Sequence, residues 1–313
     1  MVLGVNGQDG SYLAEVLIER GYTVTGVARQ AKSRWVDPTA FRYYQVDVAE
    51  TSALTTLLGE SAPAEIYHLA AVHGAAEYVY ETGWREALAV NVGSVHTCLE
   101  YMRNFSPSTR LFYASSLKVF GLRPPSRIDE TSPRISGCLY SIMKNAATEL
   151  IHYYRRLHGV WATVGYYFNH DSPRRPDNYF LPRLAASIAS QLTRGNPMPS
   201  VATLDFWCDW GSSREFMEAT ADLLLNDRPS DVIFATGHPV YAGALADELY
   251  NAAGLTTLGR PVPPPEDAPF RADVTKLREA VGWLPRQRAA DVARWILRER
   301  HSITLRTDAA TRR

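Results

Sequence analysis

The chain begins "MVLGVNGQDGSYLAEVLIERG", in which Gly4, Gly7 and Gly10 separate a short apolar run from an amphipathic one. The first run reads as a strand and the second as a helix closed by Gly21. Glycine at such a junction lets the backbone turn tightly. It also lets an anion approach the first helical turn, where unpaired N–H groups and the helix dipole favour negative charge. The G-x-x-G-x-x-G spacing is a weak motif alone. Between a strand and a helix it points to the phosphates of a dinucleotide.

The alternation continues along the first half. "YTVTGVA", "YYQVDV", "EIYHLAA", "RLFYASS" and "WATVGYYFN" read as strands; "SALTTLLGE", "WREALAVNVGSVHTCLEYMR" and "YSIMKNAATELIHYYRRLHG" read as helices. This order predicts an α/β fold, a Rossmann-type doubly wound parallel sheet covered by helices on both faces. Residues 1–168 are expected to form the dinucleotide-binding domain, with "DVIFATG" (231–237) rejoining its sheet. Residues 169–300 are expected to form a smaller C-terminal substrate-binding lobe, with helices at "YFLPRLAASIASQLTRGN", "SREFMEATADLLLND", "YAGALADELYNAAG" and "VTKLREAVGW" and a proline-rich connection at "GRPVPPPEDAPF". Residues 301–313 read as a frayed tail.

A formal net charge of zero leaves no broad basic footprint, so neither nucleic acid nor a charged membrane surface is an expected partner. No apolar run approaches the ~18 residues of a membrane span, and the N-terminus enters a strand with no signal-peptide pattern. Cys98, Cys138 and Cys208 are odd in number, far apart and without a C-x-x-C pair. Neither a disulfide framework nor a metal site is expected, and a reducing cytoplasm fits.

NAD sites usually place an acid at the end of the second strand to hold the ribose 2′-hydroxyl. Here "GVARQAK" offers Arg29 and Lys32 instead, which suit a 2′-phosphate and favour NADP over NAD. Asp47, in "QVDV", is placed to hold the adenine amino group or to close a turn. "YSIMK" puts Tyr140 and Lys144 on one helical face. The cation can lower the phenol pKa, so that Tyr140 takes a proton from a substrate hydroxyl while a hydride leaves. Ser116, ending the preceding strand, can bond the same oxygen.

At this point the chain resembles the extended short-chain dehydrogenase/reductase family, and within it the GDP-mannose 4,6-dehydratase branch. The matching pieces are "GQDGSYLAEVLIERGYTVTGVAR", "EIYHLAA", "YSIMK", "FNHDSPRR", "DWGSSREFMEA", "VIFATG" and "DVTKLREAVGW", in the family's order over nearly the whole length. The resemblance implies a nucleotide-sugar substrate oxidised at C4 by bound NADP, loss of the C5 proton and of water from C6, and hydride return to C6. It implies Ser116, Tyr140 and Lys144 as the oxidation machinery. It extends the cofactor site from Gly4, Gly7, Gly10, Arg29 and Asp47 to Gln8, Asp9, Val48, Leu69, Ala70, Ala71, Tyr140 and Lys144, and gives His73, Asn169 and Arg174 to the substrate.

Three departures stand out. Lys118 occupies the place of the family's C5 base, a glutamate; a buried lysine with a lowered pKa could serve, with Cys138 and Glu77 as weaker candidates. Cys208 and, loosely, Pro263 replace two diphosphate-binding arginines, for which Arg183, Arg214 and Arg271 are the candidate substitutes. The loop "RQAKSRWVDPTAF" is shorter than the family's, so a homodimer through the two long helices is expected. A dehydratase is the leading expectation. A 4-epimerase or dehydrogenase/reductase needs no glutamate, and a catalytically idle cofactor-binding protein would not need Tyr140 and Lys144.

Overall fold

A computed structural model describes residues 1–74, 80–121, 123–195, 203–256 and 268–305. Glu77, Pro263, most of the proline-rich connection and the tail beyond 305 lie outside the described residues.

In chain order the elements begin β1 (Val2–Leu3), α1 (Gln8–Glu19), β2 (Thr25–Ala28), β3 (Arg42–Gln45), α2 (Thr51–Ser61), β4 (Glu65–His68), α3 (Trp84–Leu88), α4 (Ser94–Asn104) and β5 (Arg110–Ser116). They continue with β6 (Arg127–Ile128), α5 (Leu139–His158), β7 (Ala162–Tyr167), β8 (Asn169–Asp171), α6 (Phe180–Arg194), β9 (Trp207–Cys208), β10 (Trp210–Ser212), α7 (Ser213–Leu223) and β11 (Val232–Phe234). The last are β12 (Val240–Tyr241), α8 (Ala242–Ala252), β13 (Arg271–Ala272), α9 (Thr275–Val281) and α10 (Ala289–His301).

Seven strands make one sheet in the order β11-β7-β5-β4-β1-β2-β3, every pair parallel. This is the doubly wound Rossmann-type arrangement expected from the alternation. The chain reverses its direction of travel across the sheet at β1, which has β2 on one side and β4 on the other. Ligands of such sheets sit at that switch point, beyond the carboxyl ends of the strands.

Each face is sealed by its own core. Leu54, Leu58, Leu99, Met102, Ala147 and Ile151 come from α2, α4 and α5 on one face. Leu13, Val16, Leu17, Phe216 and Met217 come from α1 and α7 on the other. A third core joins α6, α8 and α10 around Leu184, Ile188, Trp210, Leu249, Val292 and Ile296. Each fully buried Val, Leu, Ile, Phe or Met among these contributes about 1.5–3 kcal/mol of transfer free energy.

Two of the helical regions depart from the sequence reading, and the short strands β6, β8, β9, β10, β12 and β13 were not part of it. The long helix expected over "WREALAVNVGSVHTCLEYMR" is broken by a π-turn at Ala89–Gly93, which turns the Asn91 side chain inward. Helix α10 was not anticipated, although Ala289, Val292, Ala293, Ile296 and Leu297 carry a clear helical period. Among the described residues no helix is long and apolar enough to cross a membrane, and no group of His, Cys, Asp and Glu is arranged to hold a metal ion.

Candidate active site

The glycine turn is closed by packing. Gly4 has φ +92°, and a side chain on it would lie 2.8 Å from the backbone nitrogen of Ala70. A Cβ on Gly10 would lie 2.2 Å from the Gly4 carbonyl oxygen. Both contacts are with backbone, which cannot step aside, so α1 meets β1 and β4 only through glycine. The result is a groove of about 260 Å3 at the switch point. Gly4, Gly7, Arg29, Asp47, Val48 and residues 69–71 all line it, as a dinucleotide cradle requires.

Gln8 and Asp9 instead turn beneath the groove. Gln8 Nε2 donates to the His170 carbonyl at 3.2 Å, and Ser172 Oγ donates to Gln8 Oε1 at 2.8 Å. His170 Nε2 meets both Asp9 oxygens at 3.0 Å, while its Nδ1 faces the Phe168 carbonyl at 2.7 Å. Both ring nitrogens therefore face acceptors, so the imidazole is held charged. Burial works against both charges. For Asp9, His170 and hydrogen bonds outweigh it and hold the carboxyl well below its ordinary range; for His170, Asp9 outweighs it and raises the pKa.

Arg29 points along the groove but is paired with Glu86 at 2.6 Å, both half-exposed. Asp47 Oδ1 accepts from the Ala49 N–H at 3.0 Å, so it also closes a turn.

Strand β5 delivers Ser116, whose Oγ accepts from the Lys118 N–H at 3.3 Å and caps a 3-10 turn. Helix α5 starts at Leu139 because Cys138 and Ser141 satisfy its free amides reciprocally. Its first turns present Tyr140 and Lys144, both buried. Lys144 Nζ donates to the Ala114 carbonyl at 2.7 Å and stands 4.6 Å from the Tyr113 ring centroid and 5.6 Å from that of Tyr140. The expectation that Lys144 lowers the Tyr140 pKa is corrected here. Burial raises the phenol above its ordinary value, against smaller lowering effects of Arg175 and a hydrogen bond with Ser116. Burial also pushes Lys144 down to about 7. Desolvation of both groups outweighs their mutual influence.

Lys118 is exposed on the 3-10 turn, not the buried lysine that a base role calls for. Cys138 serves as a helix cap. Of the substrate candidates, His73 is the one brought to Tyr140: their ring centroids are 4.6 Å apart, edge to face. Its Nδ1 lies 3.0 Å from the Tyr179 hydroxyl, and the Arg175 guanidinium lies 3.6 Å over the Tyr179 ring. Arg175, not Arg174, is thus the member of "SPRR" that reaches the site, held by Asp171 at 3.1 Å. Arg174 turns away to Glu15 at 2.5 Å and to the Tyr12 ring at 4.0 Å.

Arg214 is not brought to the site. It lies between α1 and α7 with Glu19 at 2.8 Å, Glu218 at 3.6 Å and Glu15 at 3.8 Å, which leaves no charge for a diphosphate. Asn169, Arg183 and Arg271 are exposed on β8, α6 and β13. Cys208 is buried where β9 pairs with β12, and burial first, then Asp209, raises its thiol well above the ordinary value. Asn91 belongs to no motif and is found only in the structure. Its side chain bonds both the N–H and the carbonyl of Val72, at 3.0 and 3.1 Å, pinning the backbone next to His73.

Residues 1–295 match the sequence model of a family described as GDP-mannose 4,6 dehydratase. A GDP-mannose 4,6-dehydratase of Vibrio cholerae is 30% identical over 253 residues, covering 76% of this chain and 67% of that protein. Among solved structures, a UDP-glucose 4-epimerase of Thermotoga maritima superposes with a TM-score of 0.80 at 20% identity, over 95% of this chain and 96% of that one. A dTDP-glucose 4,6-dehydratase of Bacillus anthracis in complex with NAD gives 0.78 at 16% identity, over 96% of each chain. At these identities the two structures share the fold.

Proposed function

We propose, from the premise that the chain belongs to the GDP-mannose 4,6-dehydratase family, that it is a nucleotide-sugar 4,6-dehydratase that works by transient oxidation of the sugar. The observation that carries this reading is the convergence of Ser116, Tyr140 and Lys144 at the end of β5, beside a groove shaped for a dinucleotide. A nicotinamide dinucleotide, when bound, would accept a hydride from sugar C4 and return it to C6. Gly4, Gly7, Asp47 and Val48 would hold it. NADP is favoured over NAD because Arg29, and no acid, follows β2.

The residues act as follows. Tyr140 takes the proton of the C4 hydroxyl. Ser116 donates to the same oxygen and holds it in line. Lys144, fixed by the Ala114 carbonyl, places a cation beside the phenol and stabilises the tyrosinate as it forms. Burial of the site keeps water from competing for the proton. Exposed Arg183 and Arg271 are the remaining sequence candidates for a diphosphate, which bidentate guanidinium groups hold well. Exposed Ile142, Tyr153 and Leu157 on α5 support a homodimer closed through that helix.

A second reading, a 4-epimerase or dehydrogenase/reductase, is favoured by the exposed Lys118 where an elimination base would stand. Mass spectrometry after incubation with nucleotide sugars separates the two. Loss of one water supports the dehydratase; an isomer of unchanged mass, or stoichiometric reduced cofactor, supports the alternative.

A further inference from the structure

Elimination of water across C5 and C6 requires a group that takes the C5 proton, and the exposed ammonium of Lys118 is not such a group. We propose that His73 is that group, and that it also protonates the departing C6 hydroxyl; the inference rests on the dehydratase reading given above.

Four observations converge on His73. First, its imidazole stands 4.6 Å from the Tyr140 ring, centroid to centroid. C4 and C5 are adjacent carbons, so a group serving C5 must stand next to the group serving the C4 hydroxyl. Second, the ring is fixed at one nitrogen: Nδ1 lies 3.0 Å from the Tyr179 hydroxyl, and Tyr179 is held in turn by Arg175 at 3.6 Å. In the tautomer that donates from Nδ1 to Tyr179, which the proposal requires, the lone pair sits on Nε2. Third, the backbone before it is pinned at both ends, since Asn91 bonds the N–H and the carbonyl of Val72. Asn91 lies in a π-turn, a helix irregularity frequent at functional sites. Fourth, the ring is neutral. Burial, then the cations Arg175, Lys118 and Lys144 and the charged His170, push it down to about 3. That does not disqualify it as a base, because an unperturbed glutamate stands at about 4.3.

The step balances on this chain's residues and the substrate alone. With C4 already a ketone, the C5–H pair of electrons passes into the enolate and the proton goes to Nε2. The enolate then collapses to form the C5–C6 double bond as the C6–O bond breaks. The Nε2 proton joins the departing oxygen, water leaves, and His73 is neutral again.

The test uses the protein loaded with its nicotinamide cofactor in D2O, with GDP-mannose, dTDP-glucose and UDP-glucose as probes. Deuterium at C5 is followed by NMR and nicotinamide reduction by absorbance, in the wild type and in His73→Gln. The expected result is C5 deuteration by the wild type, slowed roughly 100-fold or more in His73→Gln, with nicotinamide reduction retained. A substrate-free measurement accompanies it: imidazole 15N spectra at pH 7 are expected to place the His73 proton on Nδ1. Undiminished C5 exchange in His73→Gln, or a proton resident on Nε2, overturns the proposal while the dehydratase reading stands. Parallel loss of exchange and of nicotinamide reduction, as a merely structural role would give, also overturns it. No C5 exchange by the wild type with any probe overturns both.

Discussion

Lys144 Nζ donates a hydrogen bond to the Ala114 carbonyl at 2.7 Å and makes no direct bond to Tyr140, standing 5.6 Å from its ring centroid. The strand end thus fixes the lysine beside the phenol without a bond between them. Tyr140→Phe removes the proton acceptor and should lower turnover by about 10²–10⁴-fold. Lys144→Met should lower kcat while leaving substrate binding nearly intact. Steady-state kinetics of both variants check this, and equal effects on kcat and KM from Lys144→Met would argue for a binding role instead.

The glycine turn offers a test that does not depend on activity. Gly10→Ala drives a Cβ to 2.2 Å from the Gly4 carbonyl oxygen, so α1 must shift. Overpacking of this kind costs about 1–3 kcal/mol or more, and dinucleotide binding should be lost with it. Gly21→Ala is the contrast. Nothing crowds a Cβ there, but φ is +81°, so only the left-handed conformation is penalised, at about 1–2 kcal/mol, with dinucleotide binding kept. Thermal unfolding and calorimetric titration read both effects.

Cofactor choice should turn on Arg29 and its partner. The Arg29–Glu86 pair is half-exposed, and such pairs are worth about 0–1 kcal/mol, so a 2′-phosphate can take the guanidinium over. Arg29→Ala should weaken NADP by about 10- to 100-fold, the cost of one charged hydrogen bond, and NAD much less. Glu86→Gln should strengthen NADP a little. Titration with the two dinucleotides decides it, and an equal loss of both from Arg29→Ala would remove the argument for NADP.

Acid should weaken the fold from the side of two histidines. His68 is fully buried and pushed down to about 3 by burial first and then Lys144, and His73 likewise stands at about 3. Unfolding releases both to their ordinary value of 6.5. Their contribution is therefore complete above pH 6.5 and falls as the pH drops toward 3, because the unfolded chain binds two more protons. The slope is about 1.4 kcal/mol per pH unit for each proton. His170 works in the opposite direction, its stabilisation being present below 6.5 and lost only as pH rises through its raised pKa. Urea unfolding between pH 7 and 4 should show the decline, and His68→Asn should reduce its slope by one proton's worth.

Much of this was legible in the sequence where spacing along the chain dictates the geometry. The three glycines and the Tyr140–Lys144 pair are local patterns, and strand–helix alternation admits few folds besides a parallel doubly wound sheet. Where tertiary packing decides, the sequence was silent or misleading. Arg174 and Arg175 are neighbours, and only the path of the backbone after Asp171 determines which one enters the site. Arg214 reads as a free cation until the phase of α7 aims it at the carboxylates of α1. Lys118 could be called a buried base only because its exposure is invisible in the sequence. Asn91 gains its place from a π-turn that no residue pattern announces.

The most direct measurement follows the hydrogen on sugar C4. A nucleotide hexose carrying deuterium at C4 is incubated with the protein and its cofactor, and the label is located by NMR. The expected result is a product lacking one water, with the deuterium in the C6 methyl group and no net change in reduced cofactor. Deuterium back on C4 in a product of unchanged mass, or left on the nicotinamide, would contradict the dehydratase reading.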